Sequence, residues 1–250
     1  MLSEKPWNLE RLVAVLVGIF FGVSVAMLIQ AGLEHVLGKA QFVEGSLPYL
    51  VMGSLAMHGS ILFGIGVVLA LHQIRWRDAF GFNHRPLAKA LLLGAMMAIL
   101  FLPVGLVLQD VSLRVLEKIH VPAEAQKAVV EFQKAETWQT RAYLIFFAVA
   151  LAPVAEEMLF RGTLYPAIKQ MGFPKWALWI TSILFAAAHV TAGIFIPLMV
   201  LSMMLIWLYE KTDNLLAPIA AHATFNCINI LRMYYQDDFF NWLQRMLSHH

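Results

Sequence analysis

Two adjacent glutamates, Glu156 and Glu157, stand in the apolar run AYLIFFAVALAPVAEEMLFRG. Fourteen uncharged residues, Ala142 to Ala155, precede them. A spanning helix needs roughly 20 apolar residues, so this helix either carries the carboxylates into the membrane or stops at them. An ionisable group near the bilayer centre costs about 2.5–3.5 kcal/mol on insertion scales, which predicts a protected cavity around a retained pair. Helical residues four apart share a face, whereas neighbours diverge by about 100°. Glu157 and Arg161 are four apart, with the acid first, the favourable order for an ion pair. Glu156 then points elsewhere and is left free to act. Pro153 removes a backbone donor and predicts a kink that opens room beside the carboxylate. The bland reading of the same residues is a helix end at the membrane surface.

Two further pairs have the same spacing. Phe185 and His189 share a helix face, and the three alanines between them allow a neighbouring helix to come close. His222 and Asn226 place an imidazole beside a carboxamide on an apolar helix, a combination suited to polarising a carbonyl or holding a metal-bound water. Each pair alone reads equally well as interhelical hydrogen bonding or packing. His58, in the second apolar stretch, is read as a packing histidine. What favours chemistry is concentration. Glu156, Glu157, Arg161, His189, His222 and Asn226 all fall in the C-terminal apolar segments, so one shared pocket is expected, with a base, two imidazoles and a donor around a water molecule.

The elements that must position these residues follow from composition. Of 250 residues, 60% are hydrophobic and 14% charged, with a mean hydropathy of +0.69. A soluble domain carries nearer a quarter charged residues. The fold class is therefore all-α, a polytopic transmembrane helical bundle forming one membrane-embedded domain over 1–250. Apolar windows predict about seven spans, with six or eight as the bounds, at roughly 12–33, 47–71, 88–109, 142–164, 176–193, 194–209 and 214–235. The catalytic core is expected within 142–235. Residues 110–141 intersperse acids and bases, and Val111, Leu113, Val115, Leu116 and Ile119 trace a helical stripe that Pro122 interrupts. Two short amphipathic helices at the interface fit that connector, as a cover or gate for the site or as a solvated link.

Arg75, Arg77 and Arg85 follow span two, and Lys169 and Lys175 follow span four, against Lys39 alone after span one. This bias predicts a cytoplasmic N-terminus. Leu12–Leu33 is too long for a signal-peptide core and is read as a retained span. No lipidation box is read at either end, and the terminal His249 and His250 are given no role. The net charge of +2 comes with no basic run, so no nucleic-acid partner is expected. The single cysteine, Cys227, excludes an intrachain disulfide framework. Gly18 and Gly22 form a Gly-x-x-x-Gly that hints at helix association. The lipid bilayer is the expected environment, the inner membrane if the source is bacterial.

With these residues assembled, the chain resembles the CPBP family of intramembrane proteases, which includes the CAAX prenyl endopeptidases and bacterial bacteriocin-processing relatives. That family carries Glu-Glu-x-x-x-Arg, Phe-x-x-x-His and His-x-x-x-Asn in this order on successive helices. Here they are Glu156, Glu157 and Arg161, then Phe185 and His189, then His222 and Asn226. The stretch YEKTDNLLAPIAAHATFN is also similar to the family's approach to its last motif. The likeness covers roughly 142–230 and leaves the N-terminal 140 residues unmatched. It implies hydrolysis of a peptide bond in a membrane-associated, CAAX-type or other, protein or peptide. Glu156 would be the general base, aided by His189 in activating water. His222 and Asn226 would stabilise the oxyanion, and Glu157 with Arg161 would hold the architecture. Glu156, His189 and His222 could supply three zinc ligands with an open fourth position, yet the chain lacks a His-Glu-x-x-His helix and asparagine is an uncommon zinc ligand. Whether Zn²⁺ takes part, or the glutamate acts without metal, is open at this stage. Two other readings compete: a non-enzymatic immunity or scaffold protein that keeps the motifs, and a small transporter with a buried proton site. The lopsided placement of polar groups argues against the paired broken helices of transporters.

Overall fold

The Asn8 side chain accepts the Arg11 amide N–H at 2.9 Å and caps the start of α1, Leu9–Leu37. In this computed structural model, residues 2–82, 86–122 and 126–247 are described, with side chains through Tyr235. Arg85, His249, His250 and part of the charged connector, 123–125, lie outside the described residues. Among the described residues every regular element is helical. After α1 come α2 (Leu47–Leu71), α3 (Trp76–Phe80), α4 (Leu87–Lys118), α5 (Lys127–Lys134), α6 (Trp138–Gln170), α7 (Pro174–Ala188), α8 (Phe195–Thr212) and α9 (Leu216–Leu247). Ser46 and Thr137 cap α2 and α6 by accepting the amides of Tyr49 and Thr140.

Among the described residues, five helices are long and apolar enough to cross a membrane: Leu9–Leu37, Leu47–Leu71, Leu87–Lys118, Trp138–Gln170 and Ala192–Thr212. They match the first, second, third, fourth and sixth expected spans. The fifth and seventh expected stretches are also helical, as α7 and α9. This is a multi-pass helical membrane protein.

The connector differs from expectation. Its first half is no separate helix, because α4 runs unbroken to Lys118 with Pro103 inside it. The stripe from Val111 to Leu116 is the far end of that long helix, amphipathic because it emerges from the apolar zone. Only α5 is a separate short amphipathic helix. It is tied to the loop before α2 by Lys127 and Glu44 at 3.6 Å.

Close helix pairs are made by small residues. A Cβ built on Gly64 of α2 would lie 3.0 Å from the Val15 carbonyl oxygen of α1, and one built on Gly22 would lie 2.6 Å from Ser60 Oγ. The Gly18/Gly22 pattern is thus used inside the molecule, to seat α1 on α2. Gly94 of α4 meets the Ala217 carbonyl of α9 in the same way. The core runs through Leu201, Leu205 and Leu208 of α8, Phe185 of α7, and Ala217 and Ala221 of α9.

A polar knot closes the end near the α8–α9 turn. Lys5 Nζ, buried, lies 2.7 Å from Asp213 Oδ1. Gln170 Nε2 donates to the carbonyls of Lys5 and Trp7, and its Oε1 accepts the Lys5 amide. Glu210 accepts from Tyr165, Lys169 and the Leu2 amide. These bonds lock the N-terminal segment against α6 and α8.

Candidate active site

Pro153 cannot donate the backbone bond that a regular α6 would need at that point. The helix answers with a π turn at Phe147–Leu151, just before the proline, and a second at Phe160–Leu164. Glu156 and Glu157 lie between the two, in Ala152–Leu159. The expected irregularity is therefore present as a widened turn, and it has a partner. Asn226 Nδ2 on α9 donates to the Ala148 carbonyl inside the first π turn, at 2.8 Å.

Below Glu156 sits a closed ionic cluster. Glu157 Oε1 accepts from Arg161 Nη1 at 2.8 Å and from His222 Nδ1 at 2.9 Å. Glu157 and Arg161 have no solvent exposure and His222 has almost none. The Arg161 guanidinium lies over the Phe185 ring, 4.1 Å from its centroid, and the same ring packs on His189 and edge-on against His222. Phe185 thus serves as a platform for three polar side chains. Further hydrogen bonds offset the desolvation of a buried ion pair; His222 supplies one to Glu157 Oε1, while Glu157 Oε2 and Arg161 Nε and Nη2 have no hydrogen-bond partner among the described residues.

Glu156 faces the other way, as adjacent helical residues must. Its Oε1 lies 3.3 Å from Nε2 of His58. Its Oε2 lies 4.0 Å from Nε2 of His189 and 3.9 Å from Nε2 of His222, with no hydrogen-bond partner among the described residues. The tautomers follow from the other ring nitrogens. His189 Nδ1 is 2.8 Å from the Phe185 carbonyl oxygen, which only accepts, so that nitrogen carries a proton. His222 Nδ1 likewise donates to the Glu157 carboxylate. When neutral, both rings turn a bare Nε2 towards Glu156.

The 3.9–4.0 Å separations discriminate between occupants. Two donors on one tetrahedral zinc, each at about 2.0–2.1 Å, stand about 3.3 Å apart. A water oxygen about 2.8 Å from each atom bridges 4 Å at roughly 90°. Among the described residues no cluster of three His, Cys, Asp or Glu side chains is arranged to hold a metal ion. Glu156 Oε2 thus stands further from each Nε2 than two ligand atoms on one zinc would, at a separation that a water spans.

Helix length sets the depth. Over its 15 residues α7 rises about 22 Å, short of a hydrocarbon core of about 30 Å. Thirteen positions separate Glu156 from Lys169, and fourteen separate Lys175 from His189. Both site residues therefore sit about 20 Å from the lysine-marked end of their helices. Immediately after His189, Val190 adopts φ 50° with its side chain 88% exposed. A β-branched residue in the left-handed region carries strain of order 1–3 kcal/mol. A groove of about 450 Å³ opens there, lined by Ala186, Ala187, Val190, Thr191, Phe195 and Ile196.

The structure thus brings Glu156, Glu157, Arg161, Phe185, His189 and His222 into one cluster. Asn226 is joined to it through the Ala148 carbonyl rather than through a carboxylate or imidazole. His58, read from sequence as packing, is corrected: it touches Glu156 from the N-terminal half. The signal was available, because His58 is the single histidine in an otherwise uncharged 25-residue helix, and an ionisable residue at such a place is a functional candidate by default.

Comparisons with known proteins agree with this region. Residues 138–228 match the family described as type II CAAX prenyl endopeptidase Rce1-like. The chain is 30% identical over 94 residues to UPF0177 protein YxdF of Lactococcus lactis subsp. lactis (strain IL1403), covering 37% of this chain and 51% of that protein. It is 38% identical over 91 residues to the uncharacterized protein YpbD of Bacillus subtilis (strain 168), covering 33% of this chain and 44% of that protein. The chain thus spans about half the length of these curated relatives. No solved structure matches.

Proposed function

We propose, from the premise that residues 138–228 form an Rce1-like region, that this protein is an intramembrane endopeptidase in which Glu156 activates a water. One observation carries the reading: Nε2 of His189 and Nε2 of His222 both face the unpartnered Oε2 of Glu156 at a water-bridging distance. A water held there gives one proton to Glu156 as its oxygen attacks the scissile carbonyl carbon. The tetrahedral oxyanion collapses, the C–N bond breaks, and Glu156 returns the proton to the leaving amine. His189 orients the water through its Nε2 lone pair.

His222, its Nδ1 held by Glu157, turns Nε2 towards the site and stabilises the oxyanion when that nitrogen carries a proton. Asn226 has a second Nδ2–H beyond the one given to Ala148. A preset donor of this kind is worth about 10²–10³-fold in rate. Glu157 and Arg161 hold the helix face rather than touch substrate. The substrate class is a membrane-associated protein or peptide, prenylated CAAX polypeptides included. Arg75, Arg77, Lys169 and Lys175 against Lys39 support a cytoplasmic N-terminus in the inner membrane of a bacterial cell.

The test is cleavage of a membrane-tethered reporter peptide by purified protein in liposomes. Glu156→Gln should lower the rate about 10²–10⁴-fold, the range for a lost general base, with unchanged thermal stability in detergent. Retained cleavage would remove Glu156 as the general base, and no cleavage by the wild-type protein would leave the immunity or scaffold role. A chelator should leave the wild-type rate unaltered. Loss on chelation that Zn²⁺ restores would show that Glu156, His189 and His222 close around a metal.

A further inference from the structure

We infer that His58 is a positioning residue for Glu156, supplied by the N-terminal half to a site whose other parts all come from residues 142–226. The inference rests on the protease reading above.

The two oxygens of Glu156 are not equivalent. Oε1 lies 3.3 Å from His58 Nε2, while Oε2 has no hydrogen-bond partner and faces Nε2 of His189 and of His222. A carboxylate free to turn about its last side-chain bond would exchange these oxygens and average their directions. An imidazole N–H donating to one of them stops that rotation and leaves the other aimed at the water position. Because a carboxylate accepts and does not donate, Nε2 of His58 is the protonated nitrogen in this contact. Nδ1 of His58 is buried with no hydrogen bond among the described residues, so the Glu156 contact is the ring's polar anchor there.

Local structure fixes the imidazole. His58 lies in a π turn of α2, Leu55–Gly59, a widened turn of the kind that recurs at functional sites. Its ring stands edge-on to Phe147, with centroids 4.9 Å apart. Phe147 itself opens the first π turn of α6. Two irregular turns, one in each half of the molecule, therefore meet at this contact. The side chains of His58 and Glu156 are 13% and 16% exposed, so the bond is largely sheltered from competing water.

The prediction separates positioning from binding. In the liposome assay, His58→Ala should lower kcat about 10–100-fold, the scale of a reacting group misplaced by about 1 Å, with KM within about twofold. His58→Gln places an amide N–H at a similar reach and should restore kcat to within about threefold of wild type. If His58→Ala retains the wild-type kcat, the inference fails. It fails also if a stably folded His58→Gln is as impaired as His58→Ala, since a donor would then not be what matters. Should the alanine variant fold poorly, the glutamine variant alone decides by the same criterion. Glu156→Gln measured in parallel keeps the two claims apart. If it still cleaves, the general-base role of Glu156 falls and takes the role of His58 with it. If it is inactive while His58→Ala is fully active, only the role of His58 falls.

Discussion

α1 and α8 are both apolar helices, yet 44% of the apolar window of α8 is buried inside the molecule and 11% of that of α1. α8 presents Leu201, Leu205, Leu208 and Tyr209 to the core. α1 turns Phe20 and Leu28 outward, 76% and 74% exposed, where acyl chains cover them. Hydrophobicity places both helices in a membrane but does not say which solvent each side meets, lipid or protein. Polar content does say. The fully buried Glu157, Arg161, Thr181, Ser182 and Ser202 all belong to α6, α7 and α8, because a polar group in this environment must have protein around it. The N-terminal pair, α1 and α2, acts as a wall to that core, and α2 reaches α6 through His58 at Glu156 and through the Leu50 carbonyl, which accepts from the Tyr143 hydroxyl.

Three substitutions sharpen or break this division. The largest stability effect is expected at the ionic cluster. Glu157→Gln removes the charge opposite Arg161, whose Nε and Nη2 already lack partners. Leaving a buried cation unpaired costs about 3–5 kcal/mol, so thermal unfolding in detergent should shift well below wild type. An unshifted melting curve would mean the cluster is not holding the C-terminal helices together. A smaller effect is expected at the wall. Gly64→Leu drives a side chain into the α1 backbone at Val15 and Ile19, an overpacking cost of about 1–3 kcal/mol. Peptide cleavage by the surviving folded protein should be unchanged, and loss of kcat would show that the wall transmits into the site. The smallest effect is expected at the lipid face. Phe20→Leu should change stability by less than about 0.5 kcal/mol. A larger loss would mean that this side of α1 is covered by protein.

What sequence could show followed distance along the chain. The Glu157–Arg161 pair was readable because four residues on a helix fix a face, and the same rule joined Phe185 to His189. His222 meets Glu157 across 65 positions and His58 meets Glu156 across 98. No periodicity reports such contacts. The concentration of polar groups in apolar segments pointed to a shared pocket but could not say which nitrogen faces which oxygen. His58 stands alone in its helix, so spacing gives it no partner, yet solitude in an apolar span is itself the sign that something distant must satisfy it. The extent of α4 was misread for a different reason. A helix leaving the bilayer becomes amphipathic at its end, and the composition of 110–118 matches that of a separate interfacial helix. The left-handed backbone at Val190 had no sequence signal, since valine is among the residues least suited to it.

The two π turns of α6 carry a consequence for how this stretch tolerates insertion and deletion. Removing the one extra residue that Phe147–Leu151 accommodates would let an ordinary α-helix form and leave the later side chains near their present phase, because a π turn closes its hydrogen bonds over one more residue than an α turn. Straightening the turn with every residue kept would instead swing each later side chain by about 100° around the axis, sending the acid pair towards a different neighbour. The irregularity is what keeps the two ends of the segment in phase with separate partners, so a smoother helix would be a worse one.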